Sequence, residues 1–183
     1  LVSTTFACKS QTVINITERC NIQTNDTNGS LYIKDINNLY DSCVGTWKWQ
    51  EDNRELILTL IKQEHYHYFR GIYNYHEDRI VGFYVYKENG NILINTITTD
   101  DLQSTLPKVK FKLDCYSQLV GTIQDPMKNK IYYSMFEIIS PTQIRFKGKD
   151  GESNRVTIKE GRPRPAPVFP GTSFPLEMIL IKQ

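Results

Sequence analysis

The chain has 183 residues, of which 39% are hydrophobic and 23% charged, so one domain with a buried core is expected and wholesale disorder is excluded. Its 22 basic and 20 acidic side chains are mixed along the sequence and leave a formal net charge of +2, without the basic stripe of a nucleic-acid-binding protein. We therefore expect no nucleic acid partner, and no membrane-spanning segment, since no stretch has the ~20 consecutive apolar residues that a spanning helix needs.

The N-terminal residues indicate export. Residues 1–8 (LVSTTFAC) are typical of the end of an apolar export signal, which closes on a small residue, here Ala7, although an ordinary strand is the alternative. Cys8 directly follows and is a candidate for lipid attachment or processing. The expected location is the periplasm, the outer envelope or the extracellular space. Residues 11–30 are rich in Asn, Thr and Asp, so residues 1–30 are interpreted as a signal remnant and a polar arm.

A short amphipathic helix is predicted next, over residues 31–42. Ser30 offers an N-cap, and Tyr32, Ile36 and Leu39 recur at helical spacing. From Val44 onward the hydrophobic period changes to two, which is typical of strands. Residues 108–114 alternate most clearly. Further strand candidates are 44–50, 55–63, 66–76, 91–98, 118–124, 131–139 and 176–182.

The spacing of these strands predicts a mainly β fold. Turn signals separate the strands by hairpin-sized gaps, as at Glu88-Asn89-Gly90. We expect an antiparallel meander that closes into a barrel of about eight to ten strands over residues 31–183, with one short N-terminal helix. The predicted core residues are Trp47, Phe83, Phe111 and Phe146, with Val81, Phe83 and Val85 facing inward together. Whether the interior is filled or hollow stays open, although its medium and large side chains favour a filled one.

Trp47 is expected to close the narrow end of the barrel beside Ile36 and Leu39. Four cysteines allow three disulfide connectivities, and none lies in a C-x-x-C motif. Our hypothesis is that Cys20 and Cys43 are bridged, which would leave Cys115 as a lone thiol or close to Cys8.

No catalytic residue, metal site or cofactor is predicted. His65 and His67 form a His-x-His pair on one strand face, but Glu64 and His76 are expected to point the other way and supply no third ligand. A partly exposed strand face is therefore favoured over a metal. The sequence contains no nucleophile elbow and no phosphate-binding glycine loop, so a non-enzymatic protein is expected, although acids brought together from distant strands stay open.

Tyrosine is plentiful and supplies the candidate ligand-binding surface. Aromatic rows on a sheet stack on sugar rings or line an apolar pocket, and they also serve as cross-strand packing pairs. The candidate residues are Tyr66, Tyr68, Tyr73, Tyr75, Tyr84 and Tyr86.

Two resemblances bear on the fold and the location. Gly45-Thr46-Trp47, entering the first barrel strand after a short helix, resembles the opening of the calycin superfamily, the lipocalins and avidins among them. Residues 32–38, the strand ending at Lys62 and the C-terminal residues 175–182 are similar to an uncharacterised family of exported proteins from Bacteroidetes bacteria. That resemblance implies no activity and no site residue.

Together these observations predict an exported, non-enzymatic β-barrel that acts as a structural or protein-interaction module of the cell envelope. The alternative is a lipocalin-like barrel that binds a small apolar molecule or a sugar. The partner is unknown, and an envelope protein or a small ligand is the expected class.

Overall fold

The computed structural model describes residues 10–24, 28–97, 107–150 and 167–183. These residues form eleven strands and two short 3-10 helices, Ile16–Asn21 and Leu39–Ser42. Neither 3-10 helix has the length or the apolar character that a bilayer-crossing helix needs, within the ranges given. The strands are β1 Thr12–Asn15, β2 Leu31–Lys34, β3 Gly45–Glu51, β4 Arg54–Arg70, β5 Tyr73–Glu88, β6 Asn91–Asn95, β7 Val109–Leu113, β8 Leu119–Asp125, β9 Lys130–Ser140, β10 Gln143–Asp150 and β11 Glu177–Lys182.

Eight of the strands close into an antiparallel barrel. The order is β3-β4-β5-β7-β8-β9-β10-β11, and β11 pairs with β3 to complete the circuit. The strands β2 and β6 pair with the two ends of β5, on either side of the segment that pairs with β7, and β1 adds to β2 in parallel. The predicted mainly β, antiparallel barrel is confirmed.

The turns follow from local chemistry at two hairpins. Asn89 and Gly90 both have positive φ, 51° and 75°, the requirement of the tight hairpin turn that an Asn-Gly pair favours. Asp52 also has positive φ, 50°, and reverses the chain between β3 and β4. The turn at Asn89 and Gly90 lies where the sequence predicted it.

Side chains from all eight barrel strands form one buried cluster in the interior. Buried inward positions alternate with more exposed ones along β3, β7 and β10, as the period of two requires. The interior of an eight-stranded barrel is only just wide enough for its own side chains, which pack there at near-crystalline density. The buried cluster includes Trp47, Leu56, Leu58, Leu60, Tyr84, Tyr86, Val109, Phe111, Ile123, Tyr132, Phe136, Ile144, Phe146, Met178 and Leu180.

Trp47, which was expected to close one end of the barrel, is fully buried. Its indole Nε1 donates a hydrogen bond of 2.8 Å to the carbonyl oxygen of Cys43. The neighbour that covers this end is Tyr40, whose hydroxyl accepts a 3.1 Å bond from the Leu113 amide. Ile36 and Leu39, which were expected to cover it, are exposed.

The segment that leads into β11 packs against other core residues. Phe174 is buried, and its ring lies 5.3 Å from that of Tyr84 and 5.7 Å from that of Tyr132. The buried Asp125 carboxylate holds this segment, because it accepts hydrogen bonds from the backbone amide and hydroxyl of Ser173.

Two secondary-structure predictions are wrong. Residues 31–42 form no α-helix, since β2 pairs in parallel with β5 and only a 3-10 turn follows. Residues 66–76 are no separate strand, because the chain reverses at Gly71 and the two halves belong to β4 and β5.

The inward face of β5 is also corrected. Tyr84 and Tyr86 face the core opposite Leu58 and Leu56, so Phe83 and Val85 lie on the outer side and are only partly buried. Val81 shares their side and is buried there. The predicted inward set on this strand is therefore offset by one residue, which exchanges the two faces.

The disulfide hypothesis is wrong as well. Cys20 is bonded to Cys115 across 95 residues of sequence, with their Cα atoms 5.4 Å apart, and Cys43 is a buried free thiol. The bond ties the 3-10 helix of the N-terminal arm to the turn after β7. Cys8 lies outside the described residues, so its lipid attachment remains a prediction.

Candidate functional site

A groove opens where the β4–β5 hairpin leaves the barrel. The pairing of β5 with β7 ends at Ile80 opposite Phe111, yet β5 continues to Tyr73 with β4 still beside it. The free part of the hairpin diverges from β7, and a half-open groove of about 550 Å³ lies between them on the outer face of the barrel. This volume is within the ~300–1,000 Å³ of known ligand sites.

Outward side chains of β8 and β9 supply the floor of the groove. These are Val120, Thr122, Tyr133 and Met135, which alternate with inward core residues on their strands. Between them runs a row of small residues in register, with Gly121 opposite Ser134. A Cβ at Gly121 would overlap the carbonyl oxygen of Lys110, so only glycine permits this close approach of β7 and β8.

Aromatic rings form the hairpin side of the groove. Tyr68 and Tyr75 are cross-strand partners whose rings stack at 5.1 Å. The Arg79 guanidinium packs over the ring of Tyr66, 3.3 Å from its centroid, and donates a 2.7 Å hydrogen bond to Gln63. These contacts hold the hairpin side chains in place before any ligand arrives.

Lysines line the groove from the two remaining strands. Lys110 and Lys112 project from the outer face of β7, and Lys147 and Lys149 project from that of β10. Burial, helped by the nearby Arg79 cation, lowers the pKa of Lys110. A cation in these surroundings gains stability when an anion comes close.

Glu77 is the one carboxylate among the described residues that line the groove. It is buried, and its Oε2 lies 2.7 Å from Nη1 of Arg19. The interaction with Glu77 raises the pKa of Arg19 against the opposing effect of burial, the largest single influence. The carboxylate is therefore already engaged within the protein by Arg19.

A second hollow of about 500 Å³ continues the groove along the hairpin. The two share Tyr68, Tyr75 and Lys112, and the second is bordered by Tyr73 and by the Cys20–Cys115 disulfide. The disulfide thus fixes the arm that forms one side of this surface.

The three histidines of the chain stack in a column on the opposite face of the same hairpin. A β-bulge between Gln63 and Tyr66 gives His65 a positive φ of 52°, and the register pairs His67 with His76. The His76 ring lies 4.2 Å from that of His65 and 4.7 Å from that of His67. His76 therefore does not point away from the other two, contrary to the prediction.

The three imidazole rings of this column contact one another by stacking. Across the described ranges, no three His, Cys, Asp or Glu side chains come together as ligands for one metal ion. Burial and the two neighbouring imidazoles lower the pKa of His76, which favours its neutral form.

The predicted tyrosines divide into three groups. Tyr68, Tyr73 and Tyr75 line the two hollows, and Tyr66 supports Arg79 from the same strand face. Tyr84 and Tyr86 lie in the core, where burial raises the pKa of both hydroxyls, and take no part in the surface.

The four lysines that line the groove were missing from the predicted site. In the sequence, lysines occupy the outward positions of β7 and β10, in VKFK and in KGK. The same pattern is equally typical of a solvent-exposed strand face. Only the barrel closure brings β7 and β10 to the same groove.

A family model matches residues 1–183, the whole chain, and it carries the description "Family of unknown function (DUF6705)". No curated protein and no solved structure matches the chain. Because the match covers the full length, this β-barrel chain belongs to that family of unknown function.

Proposed function

We propose that this barrel is an exported binding module, without catalytic activity, that holds an oligosaccharide in the groove on its outer face. The observation that carries the proposal is the groove between the β4–β5 hairpin and strands β7 to β10, with tyrosine rings on its hairpin side and on its floor. Large side chains from all eight barrel strands form one buried cluster inside the barrel, which favours this outer surface over a lipocalin-like internal cavity.

The chemistry of the lining supports a sugar over an acyl chain. Tyrosine rings offer flat apolar faces for pyranose rings, and lysine ammonium groups donate hydrogen bonds to ring and hydroxyl oxygens. The groove is half-open and runs into the neighbouring hollow, so an extended chain of rings can lie along it. An acyl chain would instead need an enclosed apolar cavity.

Two features support the export of the protein and its lack of catalytic activity. The Cys20–Cys115 disulfide favours export, since such bonds persist in oxidising compartments. The pairing of Glu77 with Arg19 favours ligand binding over acid–base catalysis, because the carboxylate is already engaged in an ion pair.

Tyr133→Ala should weaken binding about tenfold, equivalent to ~1.4 kcal/mol. Tyr133 is 55% exposed on the floor of the groove, so its removal takes away a stacking surface without touching the core. Isothermal titration calorimetry with hexagalacturonate and with its carboxyl-reduced, neutral counterpart measures the change.

Tyr116→Ala is the matched control. Tyr116 is 83% exposed and lies in the turn after β7, so its loss should leave the affinity unchanged. If neither hexasaccharide binds the wild-type protein at millimolar concentration, or if both alanine variants lose affinity equally, the outer-face proposal is wrong.

A further inference from the structure

The groove carries a large excess of positive charge in a chain that is nearly neutral. Five cationic side chains and one carboxylate are found among its described lining residues, whereas the whole chain has a formal charge of only +2. The carboxylate, Glu77, is bound by Arg19. The excess is therefore concentrated on this surface.

The lysines are held in two rows by the strands that carry them. Alternate residues on a strand lie ~7 Å apart, which sets the spacing of Lys110 from Lys112 and of Lys147 from Lys149. Strands β8 and β9 separate the rows, so the strand spacing puts them about 14 Å apart along the sheet. The aromatic and apolar floor lies between the rows.

Most of these ammonium groups have no acidic partner among the residues that the structure describes. Lys110, Lys112 and Lys149 make no ion pair with any residue that the structure describes, and Lys147 reaches Glu137 at 3.7 Å on the exposed surface. Lys48 and Lys87, which lie outside the groove, both contact Glu55. Among its described lining residues, the groove gathers four lysines on one surface with a single carboxylate beside them, and this clustering favours an external anion as its ligand.

We propose that the oligosaccharide held in this groove is acidic, with carboxylate or sulfate groups that meet the two lysine rows while its rings lie over the tyrosines. This inference rests on the proposed function and specifies its ligand class. Charge complementarity carries it: lysine offers three donors and no acceptor, so a negatively charged, acceptor-rich ligand satisfies it best.

A single-stranded nucleic acid also combines rings with regular negative charge. The disulfide argues against it, since the oxidising compartments where such bonds persist are not where most nucleic acid lies. The small net charge of the chain points the same way. A homopolymeric single-stranded oligonucleotide therefore serves as a competing arm of the test.

The experiment compares hexagalacturonate with its neutral, carboxyl-reduced counterpart by calorimetry. We expect the acidic sugar to bind at least tenfold more tightly at low salt. That advantage should shrink as NaCl rises from about 20 mM to about 500 mM, because salt screens charges on an open surface. The neutral sugar should show little dependence on salt.

The double variant Lys110→Gln/Lys149→Gln removes one ammonium group from each row and should abolish most of the acidic advantage. Lys34→Gln/Lys128→Gln is the matched control, since it removes the same charge from positions outside the groove and should keep wild-type affinity. Circular dichroism and melting temperature confirm that both variants are folded.

Each remaining outcome counts against the inference in a distinct way. Equal affinity for the two sugars would leave the outer-face binding function standing and refute the acidic ligand. Failure of both sugars would remove the proposed function as well. Tighter binding of the oligonucleotide than of hexagalacturonate would replace the acidic sugar with a nucleic acid.

Discussion

Removing the Cys20–Cys115 disulfide should lower the free energy of unfolding by about 4 to 5 kcal/mol. The bond joins residues 95 apart, and closing a loop of roughly 100 residues restricts the unfolded chain by about 4.7 kcal/mol in the loop-entropy description. Chemical denaturation of a Cys20→Ser/Cys115→Ser variant, compared with wild type, measures the difference.

Reduction provides an internal control. Dithiothreitol should destabilise the wild type by a similar amount and leave the double-serine variant unchanged, because the one other cysteine among the described residues, Cys43, is a free thiol. A wild type whose denaturation midpoint is insensitive to dithiothreitol would contradict the Cys20–Cys115 pairing. Peptide mapping without reduction would then identify the true partner.

Trp47→Ala should destabilise the barrel by about 3–5 kcal/mol. The indole is completely buried, and its Nε1 hydrogen bond to the Cys43 carbonyl would also be lost, which leaves that acceptor without its donor. The melting temperature and the urea midpoint both report the change.

Phe69→Ala is the control for the loss of an aromatic side chain. Phe69 is 68% exposed near the tip of the β4–β5 hairpin, so its removal should alter stability by less than about 0.5 kcal/mol. If Trp47→Ala melts at the same temperature as Phe69→Ala, Trp47 is not part of the core and the register of β3 described above is incorrect.

Much of the barrel could be predicted because its strands alternate cleanly. Val109 and Phe111 on β7, with Ile144 and Phe146 on β10, are separated by polar residues that leave one choice of inward face. On β5, by contrast, tyrosines alternate with Val81 and Phe83, and both sets are large and apolar. Hydropathy therefore could not choose between the two faces, and the inward set was predicted one residue out of register.

The other errors have tertiary causes. The spacing of Tyr32 and Ile36 suits a helix, but pairing of β2 with β5 overrides that local preference. The partner of Cys20 depends on barrel closure, which brings the turn after β7 to the N-terminal arm. The histidine column depends on a one-residue bulge in β4, which no sequence pattern predicted.

The candidate site was predictable only in part for the same reason. Tyr66, Tyr68, Tyr73 and Tyr75 lie on one hairpin, so local sequence was enough to group them. The lysines of β7 and β10 are about forty residues apart in the chain, and they line one groove because β8 and β9 connect their strands. The charge of the site is thus a property of the closed sheet.

Methionine methyl NMR tests the central claim, that ligands bind on the outer face and not inside the barrel. The chain has three methionines, and each reports a different place: Met135 on the floor of the groove, Met178 in the buried core and Met127 in the exposed turn after β8. With ¹³C-methyl methionine and hexagalacturonate, we predict a saturable shift of the Met135 signal while those of Met178 and Met127 stay in place. A saturable shift of Met178 with Met135 unmoved would contradict the account and place the ligand in the barrel interior.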